Sequence, residues 1–208
     1  MTDIVLVRHG ETEFNREGVF RGRYDVGLNE VGREQAAATA TALAREPIAA
    51  VYSSPLLRAL DTARPIAERH GVEPIIDEAF HNIDLGEWQG AKKETVRVEQ
   101  ADAWALWTTE PELLRIPGGE TLAEVRSRAF PRLEELAAKH DGERIAIVSH
   151  RSVIRVLAGA VLGMTEGYFW HFYMDNAGFS VLRQNGAGYV IVQWNENCHL
   201  ADTVYERY

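Results

Sequence analysis

Two histidines in this chain each close an apolar run of strand length. Ile4-Val5-Leu6-Val7 runs into Arg8-His9-Gly10-Glu11, and Ile145-Ala146-Ile147-Val148 runs into Ser149-His150. A third run ends in Ser53-Ser54-Pro55, shortly ahead of Arg58. An unprotonated imidazole nitrogen is a nucleophile, and a guanidinium is a fixed cation with five donors. If the two histidine-bearing strands are parallel neighbours, their carboxyl ends lie roughly 5 to 10 Å apart. Two imidazoles set between Arg8 and Arg58 resist protonation unless an anion lies among them. A phosphoryl group answers that arrangement. Its oxygens take bidentate guanidinium bonds, His9 accepts it as nucleophile, and the arginines stabilise charge during transfer. Neither a Cys/His cluster with ligand spacing nor a Gly-rich nucleotide loop followed by Lys is present, which disfavours metal-assisted and P-loop routes. The plain reading of His9 is a strand-end histidine satisfied by packing. Its place at the end of a buried strand favours a pocket.

The elements that must position these residues follow from hydrophobic pattern and punctuation. A buried strand that breaks into charged residues delivers them to the carboxyl edge of its sheet, where open α/β sheets bind ligands. Residues 13–28, with Arg16, Gly18, Arg21, Gly22, Arg23 and Gly27, read as a Gly-rich basic loop. Asn29 caps a helix expected to reach about Arg45, and Pro47 stops it. Ile48 to Ser53 is a second strand. Ser54-Pro55 predicts a helix that begins at once and carries Arg58. Val72 to Ile76 is a short third strand, so the order β-α-β-α-β implies parallel strands with right-handed crossovers.

Residues 77–117 break that rhythm. Phe80 to Gly90 reads as a shaped loop. Lys92 to Thr108 is weakly helical, with Trp104 and Trp107 on one face. The insertion at about 91–117 is either a lid over the ligand edge or a surface excursion whose tryptophans pack on the core. Thr121-Leu122-Ala123-Glu124 is a capping box opening a helix to about Lys139, with a kink expected at Pro131. Arg144 to Ser149 is the next strand, and Val153 to Leu162 a core-packed helix. The aromatic run at residues 167–172, which includes His171, reads as packing. Phe179 to Arg183 and Tyr189 to Trp194 flank Asn185-Gly186-Ala187-Gly188, a hairpin signal. In the tail, Cys198, His199 and Asp202 lack a fourth ligand, so no metal site is expected. The fold class expected is α/β: a three-layer sandwich with a mostly parallel central sheet, helices on both faces and a small helical lid insertion.

At 208 residues the chain is expected to form one domain. Its net charge of -9 argues against nucleic acid or an anionic membrane as partner, while a pocket still follows its local arginines. All but three of the 22 basic residues are Arg, the side chain suited to bidentate phosphate recognition. A single cysteine excludes an internal disulfide. The apolar stretches are too short to span a bilayer and Met1-Thr2-Asp3 opens no signal peptide, so a soluble cytoplasmic protein is expected. The oligomeric state is left open.

The order of motifs resembles a known family. Leu6 to Thr12 with Asn15, Gly22, Ser53-Ser54-Pro55-Leu56-Leu57-Arg58-Ala59 with Thr62-Ala63, Gly86-Glu87-Trp88-Gln89-Gly90 and Val148-Ser149-His150 resemble the histidine phosphatase superfamily, in its phosphoglycerate mutase-like branch. The resemblance implies a phosphohistidine on His9. Arg8, Arg58 and His150 would bind the phosphoryl group, with Asn15 and the Gly22 backbone in support; Arg21, from the basic loop, is a further expected substrate-binding residue. It implies no metal and a phosphomonoester substrate; no cofactor is expected, and the substrate expected is a small phosphorylated metabolite.

Two positions depart from the family pattern. Asn82 stands where the family places a carboxylate as general acid, and an amide cannot give up a proton. Asp84, on the same side of an extended loop, is the nearest substitute. Arg151 follows the second histidine where glycine is usual, and either adds a cation to the pocket or crowds it. Three readings compete: a phosphomonoesterase acting through phosphohistidine; a cofactor-dependent phosphoglycerate mutase; and a phosphate-ester-binding pseudoenzyme, for which Asn82 argues. Family mutases carry paired arginines in a longer insertion, whereas residues 91–117 contain only Arg97 and Arg115. The phosphatase leads.

Overall fold

The computed structural model describes residues 1–200. Six strands form one sheet in the order β3-β2-β4-β1-β5-β6, where β1 is Thr2–Arg8, β2 Ala50–Ser53, β3 Pro74–Ile76, β4 Arg144–Ser149, β5 Phe179–Gln184 and β6 Tyr189–Glu196. The first four run parallel, and β5 and β6 add an antiparallel edge. Strand β1 lies at the centre and is buried on both faces, which is why its sequence is an apolar run rather than an alternation.

Side-chain period two sorts that run into two cores. Ile4, Leu6 and Ile147 pack on one face against Leu133, Leu136, Val153 and Leu157. Those partners come from α6 (Leu122–Lys139) and α7 (Arg151–Val161). Val5, Val7 and Val148 face the other way, onto Ala40, Leu43, Ala63 and Ile66. Those belong to α2 (Glu30–Leu43) and α3 (Leu57–Arg69). Each large aliphatic buried in this way contributes about 1.5–3 kcal/mol, so β1 is the most strongly held element in the sheet. The expected three-layer α/β sandwich is the architecture found. No described helix is long and apolar enough to cross a membrane.

The capping box at Thr121 and Glu124 opens α6 as expected, and the helix runs through Pro131 to Lys139. The hairpin forms around residues 185–188. Other expectations change. The stretch read as loop contains a short helix, α1 (Glu13–Glu17), where Asn15 Oδ1 accepts from both the N–H and the hydroxyl of Thr12 at 2.9 Å. Helix α3 does not start at Pro55. Leu56 is extended, Asp25 Oδ1 accepts from the Leu57 N–H at 2.8 Å, and the helix begins there. The weakly helical insertion is two helices, α4 (Lys93–Glu99) and α5 (Ala101–Thr109). Their tryptophans pack on the core: Trp107 meets Phe20 and Trp88 edge-on, with ring centroids 5.7 and 6.0 Å away.

Candidate active site

Register places the histidines. Val7 pairs with Val148 and Arg8 with Ser149, so β1 and β4 release His9 and His150 side by side, with ring centroids 5.1 Å apart. Both rings are buried. The next step is tight. The Gly10 N–H donates to Thr62 Oγ1 at 3.0 Å, and a Cβ at Gly10 would stand 2.5 Å from the Gly32 carbonyl oxygen. Only glycine lets α2 approach the strand end so closely.

The His9 tautomer is set by its own neighbour. Nδ1 lies 2.7 Å from the Gly10 carbonyl, which can only accept, so Nδ1 carries the hydrogen and Nε2 the lone pair in the neutral ring. Asn176 Nδ2 donates to the His9 and Gly10 carbonyls at 3.1 and 3.3 Å and fixes that peptide from the far side. The ring stays neutral. Burial pushes the His9 imidazole well below its ordinary value of 6.5, and Arg58, Arg8 and Arg21 push it further. Burial does the same to His150, aided by Arg58, His9 and His81.

Arg8 donates through one terminal nitrogen to the Met174 carbonyl at 2.7 Å. Arg58 donates to the carbonyls of Tyr24 and Gly22 at 2.7 and 2.9 Å. Burial first, then Arg21, pulls the Arg58 guanidinium down to about 9, which leaves it charged at neutral pH. His150 Nε2 lies 2.8 Å from Ser54 Oγ. An anion placed among these groups would favour the charged form of each. His9 and His150 are therefore expected to titrate below pH 6.5 in nitrogen-detected NMR, and inorganic phosphate is expected to raise both. Titration at or above 6.5 without phosphate would overturn this electrostatic account. The sign carries to stability. Histidines held below their unfolded value stabilise the fold fully above pH 6.5, and that contribution is lost as pH falls through 6.5 toward the folded values.

Arg8, His9, Arg21, Gly22, Asn82, His150 and Arg151 line one cavity at this edge. Arg58 stands behind it, fully buried, holding the Gly22 loop. Asn82 meets Gly22 directly, its Nδ2 donating to the Gly22 carbonyl at 2.8 Å. Besides Arg58, two expected residues are not brought into the lining. Asp84 turns back on its own backbone, its Oδ1 accepting from the Gly86 N–H at 2.9 Å, and its other oxygen faces Arg23 at 3.9 Å. A 3-10 turn from Gly86 to Trp88 follows directly. Asn15 spends its Oδ1 on Thr12. His171 is exposed on a short 3-10 turn. In the tail, His199 stacks on Phe179 and Cys198 is exposed, while Asp202 lies outside the described residues.

Several residues of the site had no site role in the sequence reading. Lys93, Trp107, Ser152 and Trp170 also line the cavity, and Ser54, Thr62, Asn176 and the Met174 carbonyl hold its groups. Ser54 read as a helix cap, and Lys92-Lys93, the one lysine pair in an arginine-rich chain, was the available signal for Lys93.

A family model described as the histidine phosphatase superfamily (branch 1) matches residues 4–197. Phosphoserine phosphatase 1 of Hydrogenobacter thermophilus is 37% identical over 206 residues, covering 99% of this chain and 98% of that protein. The metal-independent phosphoserine phosphatase of Arabidopsis thaliana is 35% identical over 205 residues, covering 97% and 84%. Among solved structures, a mycobacterial glucosyl-3-phosphoglycerate phosphatase in complex with VO3 superposes with a TM-score of 0.87 at 28% identity, covering 94% of this chain and 99% of that one.

Proposed function

Because the chain belongs to the histidine phosphatase superfamily, we propose that it hydrolyses phosphomonoesters of small metabolites through a phosphohistidine on His9. The observation that carries this reading is the His9 ring, neutral and buried, with Nδ1–H held by Gly10 and Nε2 left as the nucleophile. Nε2 attacks phosphorus, the N–P bond forms and the P–O bond to the leaving group breaks. The leaving oxygen takes a proton. Water then attacks the same phosphorus and gives up a proton to solvent, the N–P bond breaks, inorganic phosphate departs and the ring is left neutral with its Nδ1–H. Arg8, Arg58 and His150 stabilise the charge gathering on the phosphoryl oxygens, with Arg21 and the Gly22 loop around them. Arg151 adds a cation to the cavity wall. The substrates named in the relatives, phosphoserine and glucosyl-3-phosphoglycerate, support small phosphorylated metabolites as the class.

The test is phosphate release from a panel of phosphomonoesters including phosphoserine, 3-phosphoglycerate and nitrophenyl phosphate. Release from none of them would remove the phosphatase reading.

Asn82 makes that panel informative. Asn82 carries an amide, Asp84 is engaged with Gly86, and no carboxyl lines the cavity among the described residues, so we take solvent as the source of the leaving-group proton. Nitrophenoxide leaves without help, whereas an alkoxide does not. Asn82→Glu is expected to raise turnover of alkyl phosphates by up to about 10²-fold, the lower range of general-acid catalysis, and to leave nitrophenyl phosphate within a few-fold. Equal effects on both ester types would show that a carboxyl introduced at position 82 does not reach the leaving-group oxygen.

A further inference from the structure

Ser54 and His150 meet because their strands do. Ser53 pairs with Val148, so β2 and β4 end together, and the Ser54 N–H donates to the Val148 carbonyl at 3.0 Å. One residue beyond each strand, Ser54 Oγ lies 2.8 Å from His150 Nε2, and both side chains are buried. The hydroxyl oxygen also accepts from the Leu56 N–H, at a long 3.4 Å. The hydroxyl hydrogen has a single acceptor among the described residues, the lone pair of Nε2. His150 Nδ1 is buried and has no hydrogen-bond partner among them.

A neutral ring can carry its hydrogen on either nitrogen, and the two choices leave different groups unmet. With the hydrogen on Nε2, the ring donates to Oγ, the Ser54 hydrogen has no acceptor, and Nδ1 is a second buried group without a partner. With the hydrogen on Nδ1, the Ser54 hydroxyl donates to Nε2, and only the Nδ1–H is left. Each buried polar group left unmet costs stability, so the second arrangement is preferred.

We propose that Ser54 is a positioning residue for the phosphoryl step: its hydroxyl donates to His150 Nε2, holds the ring hydrogen on Nδ1, and so makes His150 a donor to an anion in the cavity it lines. The assignment deepens the phosphatase reading and rests on it, because it takes that anion to be the phosphoryl group. The two histidines then carry their hydrogen on the same nitrogen for opposite reasons. The Gly10 carbonyl accepts from His9 Nδ1, which leaves a lone pair on Nε2 for phosphorus. The Ser54 hydroxyl gives to His150 Nε2, which leaves an N–H for a phosphoryl oxygen. One ring attacks and the other donates.

Nitrogen-detected NMR well above pH 6.5, where both rings are neutral, reads the tautomer without any turnover. In the wild-type protein, His150 Nδ1 is expected to show the shift of a protonated ring nitrogen and Nε2 that of a bare one. Ser54→Ala, or Ser54→Gly should the alanine variant not fold, should move the His150 hydrogen toward Nε2. The same substitution should leave the His9 tautomer as it is, since Gly10 sets it. Inorganic phosphate should shift the wild-type His150 Nδ1–H signal, and should bind the variant about three- to tenfold more weakly, the net contribution of one neutral hydrogen bond. A wild-type His150 with its hydrogen on Nε2 overturns the proposal. So does a tautomer unmoved by the substitution, one that moves together with that of His9, or an Nδ1–H signal that phosphate leaves in place. Phosphate release from the ester panel with the hydrogen on Nε2 removes this inference alone; the hydrogen on Nδ1 with release from no ester removes the phosphatase reading alone.

Discussion

His9→Ala is expected to stop phosphate release, with a loss of about 10⁵-fold or more even for nitrophenyl phosphate. The size of the effect follows from where the lone pair is. Gly10 holds the Nδ1 hydrogen, burial and three arginines keep the ring neutral, and no other described side chain offers a free nucleophilic nitrogen with the same support. His150 lacks that support: its Nε2 faces the Ser54 hydroxyl, which can donate or accept, and no described group holds a hydrogen on its Nδ1. The imidazole removed carries no charge, so Arg8 and Arg58 remain to hold an anion. Inorganic phosphate should therefore bind the variant within a few-fold of its wild-type affinity. Turnover within tenfold of wild type would take His9 out of the nucleophile's role.

Arg58→Ala is expected to lower kcat/KM by about 10³-fold, equivalent to about 4 kcal/mol of transition-state stabilisation. Two losses combine. A buried guanidinium that favours negative charge at both histidines disappears, and the carbonyls of Tyr24 and Gly22 each lose a donor. The Gly22 carbonyl also holds the Asn82 amide, so the phosphoryl side and the leaving-group side loosen together. Arg58→Lys should recover little, since one ammonium cannot serve two carbonyls in the planar fork geometry. With the guanidinium gone, the histidines should titrate closer to 6.5. A loss smaller than tenfold, with the histidine titrations unmoved, would show that Arg58 serves the fold and not the chemistry.

Much of the architecture was legible in the sequence because its signals are local. The unbroken runs at Ile4–Val7 and Ile145–Val148 can be satisfied only by strands buried on both faces, and two such strands belong together at the sheet centre. Thr121 with Glu124, Asn29, and the Asn-Gly turn before β6 announce their elements within a few residues. What escaped depends on contacts between distant polar groups, which leave no period to read. Asp25 capping α3, Ser54 turning to His150 and Asn176 reaching the Gly10 carbonyl are of this kind. Nothing in the extended-chain argument for Asp84 showed that its carboxylate would accept from the Gly86 N–H. The Gly22 loop is a middle case. Its glycines and arginines marked it as a loop, but nothing in them showed that Arg58 and Asn82 would share one carbonyl.

The central claim is that phosphate passes through His9. Brief exposure of the wild-type protein to a phosphomonoester labelled in its phosphoryl group, quenched in alkali, is expected to leave label on the protein. That label should be stable in base, released by acid, and located by peptide mapping on His9. Full turnover with no label at any quench time, or label on a residue other than His9, would contradict it.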